Sequence, residues 1–109
     1  MLIVFNYWTT MSNNSDHFEI LRKIKSRPIS SQRELAYELG FSLGKLNYCI
    51  KALKDKGFIK IKNFKNNTNM VRYMYILTSK GISIKTKLTL HFMRRKMIEY
   101  DELKREIED

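Results

Sequence analysis

The chain has 109 residues, with 21 Lys and Arg against 11 Asp and Glu, a formal charge of +10. That length holds one domain with a core of limited size, and the charge calls for a polyanionic partner, either nucleic acid or an acidic membrane surface. A lone cysteine excludes an internal disulfide framework and fits a reducing compartment.

Residues 1–13 are expected to form an arm, flexible or packed on a partner. Its apolar start, MLIVFNYWTT, lacks a basic leader, a cleavage site and the length of a membrane span, so no membrane association is expected. Met11 is a second candidate start. Asp16 with Glu19 then opens a short helix with Phe18, Leu21 and Ile24 as its apolar residues. Arg27-Pro28 closes it, because the residue before proline disfavours helical dihedrals.

Next comes SSQRELAYEL, a helix in which Ser31 precedes Glu34 by three residues, the spacing of a capping box, and Leu35, Ala36 and Leu39 share one side. Gly40 suits the left-handed conformation that ends a helix, and Ser42 can cap the following one. That next helix, LGKLNYCIKALKDK, turns Leu46, Cys49, Ile50 and Leu53 inward, and Gly57 stops it. Cys49 reads as a small buried hydrophobe rather than a redox centre. Two helices joined by a tight glycine turn, the second with a polar outer face, form a helix-turn-helix.

After Gly57, Phe58-Ile59-Lys60-Ile61-Lys62 alternates apolar and basic side chains, as a half-buried strand does. Lys65-Asn66-Asn67-Thr68-Asn69 reads as a turn, and Val71 to Leu77 as a returning β-branched and aromatic strand. A hairpin alone is marginal, so it must pack on the helices. The fold class is therefore mainly α with a small β-hairpin, a winged helix-turn-helix over residues 14–81.

Thr78 caps a last helix reaching about residue 107, and residues 82–109 form a C-terminal segment for dimerisation. Ile82, Leu90, Phe92, Met93, Met97, Tyr100, Leu103 and Ile107 fall on one broad stripe, with Ile84, Leu88 and Ile98 on the other side. Thirty helical residues span about 45 Å, more than so small a domain can cover. The expected dimer interface is Leu90, Met93, Met97, Tyr100, Leu103 and Ile107. Charge divides along the chain as well. Lys45, Lys51, Lys54, Lys56, Lys60, Lys62, Lys65, Arg72 and Lys80 face Asp55 alone between residues 42 and 80. From residue 99 on, acids outnumber bases.

Gly40-Phe41-Ser42, Leu46, Ile50, Leu53 and Lys56-Gly57-Phe58-Ile59, with Leu77-Thr78-Ser79-Lys80-Gly81, resemble the winged helix of MarR-type transcriptional regulators. The small size and the tail look most like the exopolysaccharide-associated branch of that family. The resemblance spans about residues 16–108. It implies a cytoplasmic, dimeric, DNA-binding regulator, usually a repressor, with its dimer interface built from terminal helices. Common members are longer, and here one long C-terminal helix and a short N-terminal one stand where they have more. A small-molecule effector therefore stays open.

In this architecture the N-terminal half of the second helix enters the major groove, which makes Leu43, Gly44, Lys45, Asn47, Tyr48 and Lys51 the reading set. Asn47 can pair in bidentate fashion with adenine, and Lys45 can donate to guanine. Leu43 can touch a thymine methyl, Gly44 permits close backbone approach, and Tyr48 and Lys51 suit phosphates. Ser31, Gln32 and Arg33 open the preceding helix, where free N–H groups favour a phosphate. Lys62, Lys65, Asn67 and Arg72 surround the wing, with Lys65 or Arg72 suited to a narrow minor groove.

His17 and His91 stand alone, without a second ligand at metal spacing, so no metal or cofactor is expected. No phosphate-binding glycine loop, nucleophile–base set or dinucleotide fingerprint occurs, which argues against an enzyme. Two other readings remain. A winged helix serving as a protein-interaction module would carry apolar or acidic residues in place of the lysines. An RNA binder would display aromatic rings for stacking, for which Tyr48 and Tyr73 are the candidates.

Overall fold

The structure, a computed structural model, describes residues 15–65 and 71–108. The expected N-terminal arm and Asn67 lie outside those residues. Residues 15–26 are helical (α1), followed by β1 (Ile29–Ser30), α2 (Gln32–Leu39), α3 (Leu43–Asp55), β2 (Ile59–Lys65), β3 (Val71–Leu77) and α4 (Ser79–Glu108). The order is that of a winged helix-turn-helix.

Local chemistry accounts for each boundary. Ser31 caps α2, its hydroxyl accepting from the Glu34 amide at 3.1 Å. Only this half of the capping box forms, since the Glu34 carboxylate turns to Arg72 instead. Gly40 ends α2 at φ 70°, a left-handed conformation that glycine adopts without the Cβ penalty of other residues. Two residues later the Ser42 hydroxyl accepts from the Lys45 amide at 3.1 Å and starts α3.

The sheet contains a strand more than the expected hairpin. β3 is central, in the order β1-β3-β2, with both pairings antiparallel. Pro28 leads the extra strand: its carbonyl accepts from the Tyr75 amide at 2.8 Å, and Ile29 lies opposite Met74. A proline-forced extended segment thus satisfies backbone groups that β3 would otherwise leave open.

The core draws on every element except β1. Ile20, Leu21 and Ile24 from α1 meet Leu35 and Ala36 from α2, and Leu46, Cys49, Ile50 and Leu53 from α3. Ile59, Tyr75 and Leu88 close it from the sheet and α4. Each fully buried aliphatic side chain contributes about 1.5–3 kcal/mol of transfer free energy. Phe18, expected on the apolar face of α1, is half-buried on another side and stacks on Phe92 with ring centroids 5.0 Å apart. Ile20 takes the core position because α1 lies between the helix-turn-helix and α4 and so has two covered sides.

Two residues of α4 lie elsewhere than their spacing suggests. Phe92, grouped by its spacing with Leu90 and Met93, packs on the domain-facing side with Ile84 and Leu88. Ile98, placed with Ile84 and Leu88 opposite the stripe, is 58% exposed, because α4 has already left the domain at that point. The projecting helix sets the 61 Å long dimension of the molecule.

The end of α3 is fastened to the start of α4 through a few atoms. Thr78 donates its hydroxyl to the Gly57 carbonyl at 2.6 Å, and the same oxygen accepts from the Gly81 amide at 3.0 Å. Its own amide donates to the Phe58 carbonyl at 3.0 Å. Gly81 packs so tightly that a Cβ there would sit 2.0 Å from the Phe58 carbonyl oxygen.

Candidate nucleic-acid interface

α3 divides cleanly into two sides. Leu46, Cys49, Ile50 and Leu53 are buried, whereas Leu43, Gly44, Lys45, Asn47, Tyr48 and Lys51 are exposed. Tyr48 is 71% exposed, too open to be a core tyrosine. A helix buried on one side and fastened by the Ser42 cap holds its outer residues at fixed positions. That is the preorganisation a groove reader needs.

Lys45 is engaged in two contacts. Its ammonium lies 3.4 Å from the Asp16 carboxylate of α1 and 4.3 Å from the centroid of the Phe41 ring. Neither partner was singled out as a site residue from the sequence. Asp16 lies twenty-nine positions away in the chain, so only the folded geometry brings the two together. The ion pair is partly solvated, and exposed pairs contribute about 0–1 kcal/mol, so Lys45 is readily released to a stronger anion.

At the start of α2, Ser31 is buried and its hydroxyl is occupied as the cap. Gln32 is half-buried, and Arg33 points to solvent. Tyr37, one helical turn beyond Arg33, is 88% exposed and shares its side of α2. This tyrosine escaped the sequence reading, although its i, i+4 relation to Arg33 was visible there.

In the wing, Ile59 faces the core while Lys60 and Lys62 face solvent, opposite Ile76 and Met74 of β3 in register. Lys65 pairs with Val71 at the tip end of the ladder. Arg72 is drawn back from the tip: its guanidinium lies 3.5 Å from a Glu34 carboxylate oxygen, with both side chains about one-third exposed. The pair ties the wing to the first turn of α2. Tyr73 packs against the core, which leaves Tyr48 as the exposed member of the two stacking candidates.

Two titratable groups are buried, His17 on α1 and Cys49 on the inward face of α3. Burial lowers the pKa of His17, the Lys56 charge lowers it further, and Asp16 opposes both. Burial raises the Cys49 thiol, as does Asp16, with Lys45 acting the other way. A thiol so shifted is a poor nucleophile, in keeping with a packing role. On the far side of α1, Phe18, Phe92, Met93 and Met97 line an open groove of about 780 Å³ between α1 and α4.

Residues 17–60 match the family model described as winged helix-turn-helix DNA-binding. No curated protein matches the chain by sequence. Among solved structures, a MarR protein from Peptoclostridium difficile aligns with TM-score 0.68 at 18% identity, over 92% of this chain and 72% of that one. The PcaV transcriptional regulator from Streptomyces coelicolor aligns with TM-score 0.65 at 16% identity, over 84% and 72%. Sso10a-2, a DNA-binding protein from Sulfolobus solfataricus, aligns with TM-score 0.62 at 23% identity, over 81% and 85%. At these identities the likeness is one of fold. No helix among the described residues is long and apolar enough to cross a membrane.

Proposed function

We propose that the chain is a DNA-binding transcription regulator that reads duplex DNA with the outer side of α3. The observation that carries this reading is the exposed set Lys45, Asn47, Tyr48 and Lys51 on a helix whose opposite side is locked in the core. The winged helix-turn-helix DNA-binding match and the net charge of +10 support it. Asn47 and Lys45 serve as base contacts, and Tyr48, Lys51, Arg33 and Tyr37 as phosphate contacts. Lys62 reaches the flanking backbone or minor groove from the wing, Lys65 and Asn67 are proposed as further contacts, and Arg72 holds the wing against α2.

Two copies joined through α4 would present two reading helices to a pseudo-palindromic operator with half-sites about 34–36 Å apart. The regulator acts in the cytoplasm as a repressor, and exopolysaccharide genes are the proposed targets, on the likeness of size and tail alone. The test is titration onto duplex from the gene's own upstream region, beside scrambled duplex and RNA, at two salt concentrations. Preference for the upstream duplex supports the reading, and equal affinity for all three ligands removes it.

A further inference from the structure

α4 carries an apolar stripe that its own domain leaves uncovered. Leu90, Met93, Met97, Tyr100 and Ile107 are between 49% and 86% exposed. Their spacing, with Lys104 in the remaining position, alternates three and four residues, the rhythm of a coiled-coil seam. The domain-facing residues Ile84, Leu88 and Phe92 sit on another side of the helix, so a second helix can lie along the stripe without displacing them.

The helix is also divided electrically. Lys80, Lys85, Lys87, Arg94, Arg95 and Lys96 come first, with no acid among them. Glu99, Asp101, Glu102, Glu106 and Glu108 follow. A parallel pair would lay each acidic end beside the other and set Lys104 against Lys104 inside the seam. An antiparallel pair reverses both faults.

We propose that α4 pairs with α4 of a second copy in antiparallel orientation, centred between Ile98 and Glu99. This deepens the homodimer reading above and rests on it. In that register Leu90 meets the second copy's Ile107, and Met97 meets its Tyr100. Met93 meets Lys104, whose methylene stem covers it while the ammonium reaches solvent. The positions flanking the seam then match in sign: Arg94 lies beside Asp101 of the second copy, and Lys87 beside Glu108. Symmetry repeats each pair, so the orientation is selected by charge and the association by the apolar stripe.

Sedimentation of the full chain at low salt tests this with Asp101→Lys and the double variant Arg94→Glu/Asp101→Lys. Both substituted positions, Arg94 and Asp101, are solvent-exposed, so folding is preserved and circular dichroism verifies it. The expected result is a dimeric parent, a dissociation constant about tenfold higher for Asp101→Lys, and recovery in the double variant. A dimeric parent whose double variant is no better than Asp101→Lys overturns the antiparallel register and leaves the homodimer standing. A monomeric parent overturns both. Independently, Ile107→Cys in a Cys49→Ala background should cross-link with Leu90→Cys and not with itself, since the two Ile107 positions would lie about 25 Å apart along the axis. Self-cross-linking of Ile107→Cys contradicts the proposal.

Discussion

Lys45 and Asp16 illustrate how a reading residue is held before its ligand arrives. The carboxylate orients the ammonium at the edge of α3, and the same carboxylate repels phosphate. Asp16→Asn should therefore strengthen duplex binding about two- to fivefold at low salt, an effect that shrinks as salt rises; anisotropy titrations check it. His17 makes a second prediction at this scale. Its folded pKa is depressed below the ordinary value of 6.5, chiefly by burial, so the unfolded chain binds the proton more readily. The neutral-ring contribution is present in full above about pH 6.5 and is lost as pH falls through the lowered folded value. Urea unfolding of the parent and of His17→Gln between pH 5 and 8 should show a steeper acid loss in the parent.

At the scale of elements, two short motifs turn out to be the two halves of one contact. Gly57 and Phe58 receive Thr78, and Gly81 lies against the Phe58 carbonyl. Gly81→Ala places a methyl where backbone already stands, so α4 must shift; a loss of about 2–3 kcal/mol in urea unfolding is expected. Both glycine motifs, the caps Ser31 and Ser42, and the inward face of α3 were legible in the sequence, because each is set by neighbours within one or two turns. β1 was not, since two residues carry no period. Lys45–Asp16 and Arg72–Glu34 were not legible either, because long-range pairs leave no spacing to read. Phe92 falls on one broad stripe with Leu90 and Met93 for the same reason: periodicity groups residues around a helix, but only the position of Phe18 decides which of them are covered.

For the whole molecule, charge and shape point the same way. The bases cluster on α3 and the wing, while the acids collect at the far end of α4, out on the projecting helix. Five to eight phosphate contacts per domain would give a log–log salt slope of about −4 to −7, measurable by titration across salt. Such a slope reports the polyanion and is silent about bases. The direct measurement of base reading is the ratio of affinities for upstream and scrambled duplex, taken for the parent and for Asn47→Ala. The side chain is exposed and supports no packing, so its loss should leave the fold and the scrambled-duplex affinity unchanged while the ratio falls about tenfold or more. An unchanged ratio would contradict the claim that the outer side of α3 reads the DNA.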